Sequence, residues 1–136
     1  MTIRDCRADE IDEVLALWRA AGSAQSVTDT VGHVHAVIAH DGAWLLVAEA
    51  DGRLVGTVIA AWDGWRGHFY RLAVLPESRR RGIATALVRA GEERLRSLGA
   101  RRLSAIVLNG SVGAQAFWAS AGFVRQAEAG RFTKTS

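Results

Sequence analysis

The chain has almost none of several residues that small proteins use as fasteners or anchors. Cys6 is its only cysteine, which excludes an intramolecular disulfide and any cysteine-rich metal site. On a first strand, that cysteine reads as a small buried thiol. Pro76 is the only proline and Tyr70 the only tyrosine. No apolar run approaches the roughly 20 residues needed to span a bilayer. The N-terminus, MTIRDCRADE, lacks the apolar core of a signal peptide, so the expected location is cytoplasmic, without a membrane partner. Lysine is also nearly missing: Lys134 is the one lysine among 17 basic residues, which leaves sixteen arginines.

What remains suffices for a globular protein. With 136 residues, 49% of them hydrophobic, residues 1–136 are expected to form a single domain with a core that needs no staples. The net charge of +3 suits an acidic ligand: nucleic acid, anionic lipid or a phosphorylated cofactor. Most arginines are dispersed among the 14 acids, and only Arg79, Arg80 and Arg81 form a cluster.

Periodicity places the elements. Thr2–Cys6 reads as a strand, followed by a helix capped by Asp9, with Ile11, Val14, Leu15, Leu17 and Trp18 at helical spacing and Gly22 as its stop. Thr28–His40 is a weaker helix with Val31, Val34, Val37 and Ile38 on its apolar side. Ala43–Glu49 and Arg53–Trp62 pair around the turn signal Asp51-Gly52, and a second tip at 63–67 leads into the strand His68–Leu75, which Pro76 ends. Gly82–Leu98 is the clearest helix, with Ile83, Leu87, Val88, Leu95 and Leu98 on one face and charges of alternating sign on the other. A strand at Arg102–Leu108, a helix at Ser111–Ala121 and one or two strands in the tail complete the chain. The order predicts an α/β (α+β) sandwich: a mixed, mainly antiparallel sheet of six or seven strands flanked by about four helices. It is not a doubly wound fold.

The arginine cluster sits at the wrong end of a helix. A helix start carries partial positive charge and unsatisfied N–H groups, so it favours acids or a bound anion. RRRG between a strand and a helix makes sense if an anion lies between the arginines and the helix start. There is no GxxxxGK[ST] and no GxGxxG, so neither an ATP-type P-loop nor a dinucleotide site is supported. The competing view, a solvated basic patch, is outweighed by the strand before, the glycine within and the helix after.

At LAVLPESRRRGIATAL the sequence resembles the GCN5-related N-acetyltransferases (GNAT), whose pyrophosphate loop reads [QR]xxGx[GA] after a strand ending near AVxP. Arg79, Gly82 and Ala84 fill those motif positions, and AQAFWASAGF matches the family's later AxxLYxxxGF helix in placement. The element order agrees over nearly the whole chain, and GTVIAAWDGWRG is similar to small single-domain bacterial members. The resemblance implies a GNAT-like fold and transfer of acetyl from acetyl-CoA to a primary amine, without a metal. It implies that Leu72, Ala73 and Val74 meet the pantetheine arm and thioester carbonyl through their backbone. The amides of Arg79, Arg80, Arg81, Gly82, Ile83, Ala84 and Thr85 would hold the pyrophosphate. Helix Ser111–Ala121, with Phe117 and Trp118, would flank the CoA arm, and either Asn109 or Ser111 would stand where the family usually has asparagine.

The chain departs from the family where a proton must be returned to the leaving thiolate. The family's tyrosine position is Trp118, and an indole N–H is not a useful acid near neutrality. Ser111 as a helix cap and Trp118 as packing are the plainer expectations. A glutamate that some members carry six residues before the valine of AV is His68 here. Histidine is the side chain that ordinarily changes charge near neutral pH, so His68 is the candidate base. Tyr70 lies on the same strand face and is the remaining candidate acid. Exposure at a hairpin tip and a core aromatic role are the competing accounts of these two. His33 and His35 point about 200° apart on a helix, which argues against a metal site. Trp18, Trp44, Trp62 and Trp65 are expected mainly in the core or packed on hairpins.

Two rival functions follow from the same residues. An acyl-CoA-binding or regulatory module would keep the cradle and lose the chemistry, as Trp118 suggests. Nucleic-acid binding lacks a basic helix face, because Gly82–Leu98 alternates in sign. The amine acceptor, a small molecule or a peptide α-amine, has no diagnostic residues, although the loop between the first two helices and the 62–67 hairpin would shape its pocket. A homodimer is left open.

Overall fold

A computed structural model describes all 136 residues, in two compact units, Met1–Ala105 and Ile106–Ser136. The first unit holds β1 (Thr2–Asp5), α1 (Ile11–Ala20), α2 (Val31–Ala39), β2 (Ala43–Ala50), β3 (Arg53–Trp62), β4 (Gly67–Val74), α3 (Ile83–Ser97) and β5 (Leu103–Ala105). The second holds α4 (Val112–Ser120). The five strands lie in the order β1-β2-β3-β4-β5, antiparallel except for the parallel β4–β5 pair. This is a mixed α/β sheet with four α-helices.

Alternation on β3 assigns the two faces. Trp18 of α1 donates from Nε1 to Thr57 Oγ1 at 2.8 Å, so α1 covers the face that carries Thr57. A Cβ added at the adjacent Gly56 would meet Ile83 and Leu87 of α3 at 3.0 and 3.1 Å. Neighbouring residues point to opposite faces of a strand, so α3 covers the other side. Ile11, Val14, Leu17 and Trp18 are buried from α1, and Ile83, Leu87, Val88 and Leu95 from α3. Gly91 is buried within α3 because Phe69 of β4 fills the room of a side chain there. A Cβ at Gly91 would lie 2.6 Å from the Phe69 ring.

Several expectations are corrected. The sheet has five strands, not six or seven, because residues 121–136 form none. That stretch, AGFVRQAEAGRFTKTS, has little of the β-branched alternation that a strand needs. β5 is three residues long, and Ile106 and Leu108, the apolar members of the longer expected strand, are exposed. Asp9 does not cap α1. A 3-10 turn at Ala8–Glu10 precedes the helix, and Glu10 accepts from the Arg7 amide at 2.9 Å while Arg4 holds its carboxylate at 2.7 Å. The Arg4 contact, with the Arg7 amide, pulls the Glu10 pKa down to about 2. Leu98 ends α3 with 44% of its surface exposed, outside the buried face. From α2, Val34 is buried while Val31 is exposed. Cys6 is a buried free thiol, and burial pushes its pKa up to about 11.

Candidate active site

The middle of β4 is where the sheet departs from regular pairing. Thr57 and Ile59, two apart on β3, pair with Ala73 and Tyr70, three apart on β4. The extra residue bulges, and Arg71 takes a left-handed φ of 53°. For a residue with a Cβ this costs about 1–2 kcal/mol. Polar ties hold it there. The Thr57 hydroxyl donates to the Arg71 carbonyl at 2.9 Å, and the Trp18 indole donates to that same hydroxyl. The Arg71 guanidinium forks onto both carboxylate oxygens of Asp29 at 2.7 Å and donates to the Ala24 carbonyl at 3.0 Å. It also lies 5.1 Å from the centre of the Trp18 ring. The loop between α1 and α2 is thereby tied to the bulge. Beside it, Trp18, Arg19, Ser23, Gln25, Ser26 and Asp29 line a small cavity of about 90 Å³.

The bulge also opens one edge of the strand. β5 pairs with Gly67, His68 and Phe69 and no further, so Tyr70–Val74 has a strand partner only on the β3 side. Leu75 donates its amide to Val55 of β3. Amides alternate between the two edges of a strand, so those of Leu72 and Val74 turn to the open edge while Ala73 faces β3. A row of unpaired backbone groups at a sheet edge invites an extended ligand.

The open edge leads directly into the arginine loop. A 3-10 turn over Pro76–Ser78 precedes Arg79, then Arg80 and Gly82 both take left-handed φ, at 65° and 78°. Alternation of this kind turns successive N–H groups to one side. α3 begins at Ile83, and the amides of Ile83, Ala84 and Thr85 have no acceptor within their own helix. A Cβ at Gly82 would meet nothing within 4 Å, so the space before the helix is open, and the first turn of α3 carries no acid. Arg79 differs from the expectation: its amide donates to the Pro76 carbonyl at 3.4 Å, and its side chain donates to the carbonyls of Val74 at 3.1 Å and Ala21 at 3.0 Å, bracing the loop. Arg80 and Arg81 are exposed.

His68 and Tyr70 do share a face, the one covered by α1, with ring centres 6.3 Å apart. Tyr70 is 44% exposed and is no core aromatic. The ring of His68 is held at both ends: Nε2 meets Asp63 Oδ2 at 2.9 Å and Nδ1 meets Ser104 Oγ at 3.0 Å. Asp63 also accepts from the amides of Arg66 at 2.7 Å and Trp65 at 2.8 Å. The Arg66 amide first, then the His68 ring, lowers the Asp63 pKa to about 2. Trp65 is not packed on its hairpin but exposed, with the Arg66 guanidinium 3.8 Å above its ring. Asp63, Ser104, Arg71 and Asp29 are the residues that sequence reasoning missed.

In the second unit, Ser111 occupies the cap position of α4 without making a capping hydrogen bond, contrary to the plainer expectation. Asn109 accepts from Arg125 through Oδ1 at 3.3 Å and from the Gln115 side chain through its carbonyl. Trp118 is buried with its ring edge-on to Phe117 and Phe123, at 5.4 and 4.8 Å between centres, in the packing role expected of it. No helix of the chain is long and apolar enough to cross a membrane.

A bulged strand with an open edge, followed by a loop of left-handed turns and an acid-free helix start, is an arrangement that can take an extended anionic ligand. The sequence profile of the acetyltransferase (GNAT) family matches residues 10–123, and the chain belongs to that family. It is an acetyltransferase. An acetyltransferase of Photorhabdus laumondii is 38% identical over 107 residues, covering 79% of this chain and 75% of that protein. Among solved structures, an aminoglycoside 6'-N-acetyltransferase from Acinetobacter haemolyticus has a TM-score of 0.84 at 22% identity, over 100% of this chain and 99% of its own. Another aminoglycoside N-acetyltransferase, solved with a bisubstrate analogue joining CoA to acetylneamine, has a TM-score of 0.83 at 18% identity, over 99% of this chain and 98% of its own. At these identities the two structures show the shared fold.

Proposed function

We propose that the whole chain, residues 1–136, acts as one domain that moves the acetyl group of acetyl-CoA to a primary amine, with both bound at once. The observation that carries this is the open edge of β4 at Leu72 and Val74, which leads through the 3-10 turn to the acceptor-free amides of Ile83, Ala84 and Thr85 at the start of α3. Acetyl-CoA would supply an acetyl group activated as a thioester. Backbone groups of Leu72, Ala73 and Val74 take the pantetheine arm, and an N–H at this edge faces the thioester oxygen where negative charge develops. The amides of Arg80 through Thr85 take the pyrophosphate, Arg79 braces the loop, and the exposed Arg80 and Arg81 add charge beside it. Asn109, Ser111, Phe117 and Trp118 are candidates for the same cofactor on the ground of family resemblance alone. His68 serves as base and Tyr70 as acid. The relatives that acetylate aminoglycosides support a small-molecule amine as acceptor, alongside a peptide α-amine.

Two measurements test this. Millimolar CoA should raise the melting temperature, since a ligand at 100 times its Kd adds about 2.7 kcal/mol of stability. A folded protein with no shift rules the cofactor assignment out. A panel of primary amines, read by release of free thiol, should then yield turnover, with Tyr70→Phe reducing kcat more than it changes KM.

A further inference from the structure

We propose that Ser104 relays the proton from the acceptor amine to His68, and that Asp63 is the positioning residue that makes this the only route. The proposal rests on the reading of His68 as the base and adds how that base works. A carboxylate only accepts hydrogen bonds, so the contact between Asp63 Oδ2 and Nε2 places the ring proton of neutral His68 on Nε2. The lone pair is then on Nδ1. That atom is covered by Ser104 Oγ at 3.0 Å, which donates to it. Neither nitrogen of the ring is free to meet an ammonium directly.

The sheet fixes this arrangement. His68 and Ser104 are register partners in the parallel β4–β5 pair, one rung before that pairing ends at Phe69 and Ala105. Ser104 is exposed, so its oxygen can also receive a hydrogen bond from outside. Asp63 does not swing: its other oxygen accepts from the Trp65 and Arg66 amides of the hairpin tip. The transfer balances without any further group. As the amine N–H bond breaks, its proton joins Ser104 Oγ; the hydroxyl proton of Ser104 passes to His68 Nδ1. The serine ends as it began, and the imidazolium formed stands against the Asp63 carboxylate.

The first test needs no acceptor. Nitrogen-15 NMR of the His68 ring in the folded protein should show a protonated Nε2 and a bare Nδ1 in the neutral form, with that preference weakened in Asp63→Asn. A neutral ring protonated on Nδ1 overturns the relay. The second uses the amine with the highest turnover in the thiol-release screen. His68→Gln should lose about 100-fold, the low end for general acid–base catalysis, and Ser104→Ala should lose about tenfold in kcat with an unchanged KM for acetyl-CoA. Ser104→Thr, which restores a hydroxyl, should recover most of the loss. A proton inventory in mixed H₂O and D₂O should curve in wild type, since two protons move together, and straighten in Ser104→Ala. If His68→Gln is slow but Ser104→Ala stays within twofold of wild type, the base stands and the relay falls. If His68→Gln is unimpaired, or if no amine turns over, the base reading falls and takes the relay with it. Melting curves for each variant separate these outcomes from loss of fold.

Discussion

The two halves of β4 are built by different physics. From Gly67 to Phe69 the strand is paired on both edges and packed from α3. A Cβ at Gly67 would lie 2.7 Å from Leu103 and 2.9 Å from Leu95, and Phe69 sits in the space left by Gly91. From Tyr70 to Val74 the strand is paired on one edge, strained at Arg71, and held by polar ties from α1, its following loop and β3. The first half minimises its local free energy through close packing. The second is kept out of that minimum, and the departure leaves backbone donors unpaired for a ligand. Strain that neighbouring contacts over-determine is a feature of functional sites.

Breaking the packed half should give the largest effect. Gly91→Leu forces a side chain against Phe69 and Ala60, whose nearest atoms already lie 2.6 and 3.3 Å from where a Cβ would stand. Neither neighbour is a flexible chain end, so the helix or strand must shift, at a cost of about 3 kcal/mol or more. A fall in Tm of roughly 10 °C or failure to fold is expected. A melting curve like wild type would show that α3 does not lie against β4 as described.

The next effect falls on the ligand rather than the fold. Gly82→Glu places a negative chain in the open space before α3, where the phosphates are proposed to lie, and forces a Cβ into a left-handed φ of 78°. The backbone penalty is about 1 kcal/mol, small enough to leave a folded protein. CoA binding, measured by calorimetry, should be lost. Unchanged affinity in the folded variant would move the pyrophosphate away from this loop.

The same division governs what the sequence made legible. β2, β3, β4 and α3 lie within about one residue of their expected bounds, because alternation and a 3.6-residue period record burial directly. The glycine at 82 was legible for the same local reason: a strand, a turn and a helix follow in order. The tail strands were over-read, since apolar residues such as Val124 and Phe132 count toward a strand only if a partner accepts them, and both are exposed. Asp63 was read as part of a turn, which it is, but its second oxygen serves His68. Ser104 reaches His68 across 36 residues and Asp29 reaches Arg71 across 42, through register and loop placement that no local pattern encodes. Arg79 stood out as charge yet spends that charge on two carbonyls.

The smallest effect tests the strained half most sharply, at Arg71. Its backbone strain and its side-chain ties act in opposite directions, and two substitutions separate them. Arg71→Ala removes the fork onto Asp29 and keeps a Cβ at the left-handed φ of 53°. Arg71→Gly removes the fork equally but relieves the backbone. Both should be less stable than wild type, because Asp29, largely buried, loses its charged partner and keeps only the Ser26 amide. The glycine variant should be the more stable of the two by about 1 kcal/mol, the difference in left-handed cost. In kinetics the pair should look alike: release of the loop between α1 and α2 should raise KM for the amine severalfold and leave KM for acetyl-CoA within twofold. Arg71→Lys should not restore the amine KM, since an ammonium cannot engage both carboxylate oxygens in a planar fork. If Arg71→Ala melts with Arg71→Gly, the bulge carries no strain at this residue. If neither variant moves the amine KM, the tie to Asp29 serves the fold alone, and the contrast between the halves of β4 is structural rather than functional.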